Sequence, residues 1–274
     1  MPHTPNATEN GRFRMLSAGG VALRVYTRDL DRPGVPLVIC NGLGQSVEIL
    51  YPLLHELPDR PIIAFDAAGV GRSDVPCDVT TIPQHAAMLG EVLDQLGVGQ
   101  FDVTGISWGG AVAQQITRDQ PDRVRKLVLA ITSAGGIVSW WGSPVALFEI
   151  MFPLRYANKA YGNFIGPFMY GGEAILQPAL FREYTMHAIR PTYKGYAAQV
   201  QALCSWSSVS WLGDLKTPTQ IIGGALDLLI PITNQMLLTA LLPNARLRVF
   251  DAGHLVMYSR RAEVGALLAG FLDD

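Results

Sequence analysis

A chain of 274 residues, 49% hydrophobic and 16% charged, is apolar beside a typical soluble protein, whose charged share is about a quarter, and it is long enough for one large core with an inserted subdomain. Its formal net charge of −2, without a basic run, excludes the electrostatic footprint of a nucleic-acid binder. The three cysteines, Cys40, Cys77 and Cys204, are widely spaced and form no CxxC pair, which argues against a disulfide framework and a zinc site and for reduced thiols in the cytoplasm.

The first stretch, "MPHTPNATENGR", is polar, lacks the basic-then-apolar pattern of an export signal and is expected to fray. Short apolar runs follow at "VALRVYT" (21–27), "PLVICNG" (36–42), "PIIAFDA" (61–67), "FDVTGIS" (101–107), "KLVLAITS" (126–133), "PTQIIGGA" (218–225) and "RLRVFDA" (246–252). After the first they are nearly continuous in apolar residues, as strands of a parallel sheet covered on both faces should be. Between them, residues 82–97 place Leu89, Val92, Leu93 and Leu96 on one helical face before Gly97. "WGGAVAQQITRDQP" and "RRAEVGALLAGFL" read as helices too. The alternation predicts an α/β protein with a mostly parallel central sheet flanked by helices.

The alternation stops over residues 134–211, a stretch of 78 residues with eight charged residues and 15 of the 24 aromatics. A structureless loop of that length is improbable, so the stretch is expected to be an inserted, mainly helical cap on a core formed by residues 1–133 and 212–274. Its aromatics either form the core of that subdomain or also line an apolar substrate cleft. No apolar run approaches the ~18–20 residues of a spanning helix; "PVALFEIMFPL" is broken by Glu149 and Pro153.

Gly105-Ile106-Ser107-Trp108-Gly109 fits G-x-S-x-G at a strand-to-helix junction. A turn that sharp strains the serine backbone, and side chains two positions before and after it would collide with neighbouring elements, so glycine is required there. A serine nucleophile needs a base and a group to orient that base. Of five histidines, His3 lies in the polar tail, His55 and His85 in amphipathic helices and His187 in the insertion, whereas His254 follows the last strand in "VFDAGHL". The orienting acid is expected in the apolar segment "QIIGGALDLLIP", at Asp227, because a carboxylate there needs a partner. Asp251 is the rival, closer along the chain and better suited to ending the strand. The oxyanion donors are expected to be the N–H groups of Trp108 and of Leu43 in "CNGLGQS", with Gly42 as second choice. Asn41, Trp108, Trp140 and Trp141 are the expected substrate contacts. "FDAAGVGRSD" lacks the GxGxxG spacing and Walker lysine of a phosphate loop and is read as a packing turn.

With Ser107, Asp227 and His254 in that order, the chain resembles the α/β-hydrolases from about residue 20 to its end. "GISWGGAVAQQ", "YGG" (170–172), "WSSVSWL" (206–212), "LIPITNQMLL" (229–238) and "DAGHL" make it similar, more narrowly, to the intracellular depolymerases of medium-chain-length poly(3-hydroxyalkanoates). The resemblance implies a cytoplasmic enzyme that cleaves 3-hydroxyacyl esters at storage granules with those three residues and no cofactor. A general carboxylesterase or lipase-like enzyme, a carbon–carbon bond hydrolase and a non-catalytic binding protein share these features. A serine at the nucleophile position argues against dehalogenase and epoxide hydrolase chemistry, which starts from a carboxylate.

Overall fold

Eight strands carry the architecture of the computed structural model, which describes residues 11–274 except 79, 137 and 187; the sequence positions His3 and His187 therefore lie outside the described residues. The strands are β1 (Gly11–Ala18), β2 (Val21–Arg28), β3 (Leu37–Cys40), β4 (Ile62–Phe65), β5 (Phe101–Ile106), β6 (Val124–Ala130), β7 (Thr219–Gly224) and β8 (Ala245–Phe250). They pair in the order β1-β2-β4-β3-β5-β6-β7-β8. β2 runs antiparallel to both β1 and β4, and every pairing from β4 onward is parallel. The seven apolar runs became β2 to β8. β1 is the addition: most of its side chains are exposed, so it shows little hydrophobic signal. Gly11 and Arg12, expected to fray, are held by pairing with Arg28 and Thr27 of β2.

The helices are α1 (Tyr51–His55), α2 (Ile82–Gln95), α3 (Trp108–Asp119), α4 (Pro144–Met151), α5 (Leu154–Ala157), α6 (Lys159–Tyr170), α7 (Glu173–Leu176), α8 (Pro178–Met186), α9 (Tyr193–Cys204), α10 (Thr233–Leu241), α11 (Val256–Ser259) and α12 (Arg261–Asp273). Alternate residues of the central strands face two separate cores, as the two-residue strand period dictates. Val38, Ile63, Val103 and Ile221 pack with Leu89 and Leu93 of α2, Val112 and Ile116 of α3 and Leu238 of α10. Leu37, Ile39, Ile62, Val128 and Ile222 pack with Leu53 of α1, Val256 of α11 and Leu268 of α12 on the other face. Each such side chain, fully removed from water, contributes roughly 1.5–3 kcal/mol before entropy is counted. α10 has a weak apolar pattern because Asn234 and Gln235 are buried polar residues, the latter donating to the Thr132 carbonyl at 2.8 Å.

Between β6 and β7 the chain forms α4 to α9, so the interruption of the strand–helix alternation is helical. Met169, Tyr170, Phe181 and Tyr184 make a third core with Leu255 and Tyr258. Trp206 and Trp211 instead join the main core, the Trp206 indole donating to Gln115 Oε1 of α3 at 2.9 Å. Trp140, Phe148, Phe152 and Phe164 are exposed. The aromatic richness of this segment thus has several structural destinations.

The β5–α3 junction puts Ser107 at φ 51° and ψ −117°, a region that favours glycine. A Cβ at position 105 would lie 2.5 Å from the Gly110 Cα, and one at position 109 would lie 2.1 Å from the Cys40 carbonyl oxygen. Both obstacles are backbone, which cannot yield as a side chain can. α2 braces the junction from below. Thr81 and Gln84 form a reciprocal capping box at its start, and one turn on, the His85 ring meets the Trp108 indole edge-on at 4.9 Å. His85 and Thr80 Oγ1 share a 2.8 Å hydrogen bond, and burial pushes the His85 pKa down from 6.5 to about 4.

Two outcomes are expected. Gly109→Ala should lose about 3 kcal/mol or more of stability by forcing β3 and α3 apart, measured as a fall in the urea midpoint; an unchanged midpoint would show that the junction has slack. His85 is neutral in the folded protein, while the unfolded chain takes up its proton as pH falls below 6.5, so its contribution is intact above that pH and is lost down to about pH 4. The loss should reach about 3 kcal/mol. Urea titrations across that window should give a shallower pH slope for His85→Gln; equal slopes would overturn the assignment.

Candidate active site

The loops at the carboxyl ends of β3, β5, β7 and β8 converge on Ser107. The turn lifts its side chain out of the sheet edge while its backbone is pinned on three sides. Ser107 N–H donates to the Ala130 carbonyl at 2.9 Å, and its own carbonyl accepts from Gly110 N–H at 2.9 Å and Thr132 Oγ1 at 2.7 Å.

His254 Nε2 lies 3.1 Å from Ser107 Oγ, and His254 Nδ1 lies 2.7 Å from Asp227 Oδ2. An ionised carboxylate only accepts, so the ring proton sits on Nδ1 and the Nε2 lone pair faces the serine hydroxyl. The second Asp227 oxygen accepts from the N–H groups of Leu229 and Ile230, both at 2.8 Å. These bonds compensate a carboxylate that is fully buried. Asp251, the sequence rival, is exposed, and it is its backbone carbonyl that is engaged, by Arg260 Nη2 at 3.2 Å. His55, at the end of α1, is exposed, and His85 lies under Trp108.

In the loop after β3, Asn41 Oδ1 accepts from Gly42 N–H at 2.8 Å and Asn41 Nδ2 donates to the Ser46 carbonyl at 2.9 Å. Gly44 N–H donates to Gln199 Oε1 at 2.8 Å. Leu43 N–H and Trp108 N–H, the latter the first N–H of α3, make no hydrogen bond among the described residues. Gly42, the alternative donor, is thus engaged by Asn41. The Asn41 amide is committed at both ends to shaping the loop, although its side chain also borders a small cavity of about 30 Å³ that reaches Ser107 and His254.

A second, largely apolar cavity of about 100 Å³ also reaches Ser107 and His254 and is lined by Leu43, Trp108, Trp141, Leu147, Ile150, Met169, Val200 and Leu203. Trp141 stands at its rim. Trp140, expected beside it, is turned to solvent with 65% of its surface exposed and does not line this cavity. The cause is Asn234 of α10, which accepts from Trp140 N–H at 2.9 Å and donates to its carbonyl at 2.8 Å, fixing the backbone with the ring outward.

The helical segment also secures the site from above, partly through Gln199 and Glu173, which no motif in the sequence singles out. Gln199 accepts the Trp108 indole N–H on its backbone carbonyl at 3.0 Å and Gly44 N–H on its side chain, joining the two loops that present the free N–H groups. Glu173 accepts from Gly253 N–H at 3.1 Å and from Arg260 Nε at 2.9 Å, while the Tyr170 carbonyl accepts from His254 N–H at 2.7 Å. Gly171 bridges Asp227, and a Cβ on Gly172 would lie 2.2 Å from Gly253 N, which explains the glycine pair in "YGG". Burial pushes the phenols of Tyr170 and Tyr184 up, and the Tyr170 ring lies 5.7 Å from that of His254. Among the described residues, no group of three or more His, Cys, Asp or Glu side chains is arranged to hold a metal ion.

Residues 35–260 match the family described as alpha/beta hydrolase fold. A poly(3-hydroxyalkanoate) depolymerase of Ectopseudomonas oleovorans is 36% identical over 263 residues, covering 96% of this chain and 93% of that protein. A 2-hydroxymuconate semialdehyde hydrolase of Pseudomonas sp. strain CF600 is 27% identical over 288 residues, covering 98% of this chain and 96% of that one. Among solved structures, the enol-lactonase of Burkholderia xenovorans LB400 superposes with a TM-score of 0.82 at 20% identity, over 95% of this chain and all of that one, a likeness of fold. On its sheet order and on a sequence match that spans most of its length, the chain belongs to the α/β-hydrolase family and is a hydrolase resembling the poly(3-hydroxyalkanoate) depolymerases.

Proposed function

We propose that this hydrolase cleaves ester bonds of medium-chain 3-hydroxyalkanoate polyesters or oligomers through an acyl-enzyme formed on Ser107. The observation that carries the chemistry is the continuous hydrogen-bonded array Asp227–His254–Ser107 facing an apolar cavity. The similarity to the Ectopseudomonas oleovorans protein supports the substrate class.

In this reading His254 Nε2 takes the Ser107 proton as Oγ attacks the ester carbonyl, and Asp227 stabilises the imidazolium that forms. The N–H groups of Leu43 and Trp108, both without hydrogen-bond partners among the described residues, receive the oxyanion. Collapse of the tetrahedral adduct breaks the ester bond, and His254 returns the proton to the leaving alkoxide. Water, deprotonated by the same histidine, then attacks the acyl-serine and releases the acid. Residues 134–211 serve as the cap, supplying Trp141 and the apolar wall that hold the acyl chain. Among the described residues no helix is long and apolar enough to cross a membrane. We place the enzyme in the cytoplasm at storage granules, with the exposed Trp140, Phe148, Phe152 and Phe164 meeting the polymer surface. The modest volume of the apolar cavity favours a second reading, a general carboxylesterase of small esters.

Release of 3-hydroxy acids from amorphous medium-chain polyester should fall by about 10⁴ or more in Ser107→Ala and by about 10⁴ in Asp227→Asn, whose ring partner would lose its tautomer. Near-wild-type rates in Ser107→Ala would refute the mechanism, and turnover of simple acyl esters alone would select the carboxylesterase reading. In a sedimentation assay, Phe148→Ser/Phe152→Ser/Phe164→Ser should lower the fraction bound to polymer particles severalfold; equal binding would remove the aromatics from the docking role.

A further inference from the structure

A third cavity, of about 220 Å³, adjoins the nucleophile's apolar one, and Gln45, Arg155 and Tyr170 line both. It lies where α6 and α8 face the Gly44–Gln45 loop. Three cationic residues, Arg155, Lys159 and Arg190, stand in its wall, and among the described residues no carboxylate does. The rest of the lining includes Ile49, Phe181 and Ile189. A space with apolar walls and several cations suits an amphipathic anion.

Arg155 is the buried member, its side chain only 7% exposed. Nη2 donates to the Tyr196 hydroxyl at 3.0 Å and Nη1 donates to the Glu149 carbonyl, while Nε is buried without a hydrogen-bond partner among the described residues. The fully buried Glu149 carboxylate lies 3.8 Å from Nη1 and is itself engaged by the Tyr161 hydroxyl and by Arg155 N–H. Glu149 thus offsets the charge of Arg155. Lys159 and Arg190, both exposed and lining the cavity without a carboxylate among its described residues, leave a net positive potential there.

We infer that this cavity receives the free carboxylate end of a 3-hydroxyacyl oligomer, so that the enzyme trims such chains from their carboxyl terminus. The inference rests on the proposed esterase reading of Ser107. In a 3-hydroxyacyl chain, the carboxylate end lies on the alcohol side of every ester bond. Seating that end in the cationic cavity puts the leaving fragment there and the acyl fragment in the apolar cavity beside Ser107. Addition of water then gives a leaving fragment with a new hydroxyl and an acyl fragment with a new carboxylate, and the shortened chain carries the same recognition group as before.

The test compares a 3-hydroxydecanoate trimer as the free acid with its methyl ester. Wild-type kcat/KM should favour the acid by about tenfold, mainly through KM, as one charge-assisted contact provides. In Lys159→Gln/Arg190→Gln the acid-to-ester ratio should approach one; a within-protein ratio is insensitive to the fraction of folded enzyme. Calorimetry on Ser107→Ala provides a readout without turnover: the acid should bind about tenfold more tightly than the ester, a gap that narrows with added salt. Equal affinities for the two trimers, or a ratio that survives the double substitution, would overturn the cavity assignment. Cleavage of both trimers without preference would sink this inference and leave the esterase reading standing. Tighter binding of the acid without cleavage of either trimer would support the anion site and refute the 3-hydroxyacyl esterase reading.

Discussion

The backbone of Ser107 is the constraint on which the rest of the site depends. A non-glycine residue at φ 51° costs on the order of 1–3 kcal/mol and persists only where its surroundings leave no alternative. Here Gly105 and Gly109 allow β3, β5 and α3 to approach to backbone contact, and hydrogen bonds from Thr132 and to Ala130 fix the peptide on either side. The strain has a geometric product: the hydroxyl leaves the plane of the sheet and the first N–H of α3 is left facing the same space. A relaxed turn would lose both together.

Once that turn is fixed, the long segment between β6 and β7 contributes directly to the geometry of the site. Its "YGGE" sequence lies on the two loops that carry Asp227 and His254, through the bridge from Gly171, the backbone approach of Gly172, the Tyr170 carbonyl and the Glu173 carboxylate. Gln199 fastens the opposite side, tying the β3 loop to the Trp108 indole. The orientation of the histidine and the spacing of the free N–H groups are therefore set jointly by the sheet and by the segment above it. Displacing that segment would alter the array itself.

Charge placement follows the same economy. A second turn after a strand, "FDAAGVGRSD", places the fully buried Asp66, which accepts from Val47 N–H at 2.8 Å and Arg72 N–H at 3.0 Å and pairs with Arg24 at 3.1 Å. A Cβ at Gly71 would overlap that carboxylate at 2.2 Å. Gly71 thus makes room for an internal anion, whereas Gly69 backs onto Gly195 of α9, and the network around Asp66 steadies the helical turn that follows the β3 loop. In both places a buried carboxylate organises backbone N–H groups, with its remaining lone pairs directed at a side chain.

The sequence by itself determined what local sterics and periodicity encode. Continuous apolar runs alternating with helical faces specify a doubly covered, mostly parallel sheet, and glycines flanking Ser107 specify a turn too tight for side chains. The order of Ser107, Asp227 and His254 was legible because each follows a strand, and parallel strands deliver their carboxyl-end loops to one edge. β1 escaped notice because an exposed edge strand is held by main-chain pairing, which leaves little hydrophobic pattern, and α10 because its buried amides interrupt its apolar face. Only the tertiary structure decided that Trp141 borders the cavity while Trp140 faces solvent, since Asn234, 94 residues away, sets that peptide. It likewise decided the roles of Glu173 and Gln199 as braces and brought Arg190, from the stretch after α8, to the cavity that Arg155 and Lys159 line. These are contacts between segments distant along the chain, whose formation depends on the packing of whole elements and so has no signature in local spacing.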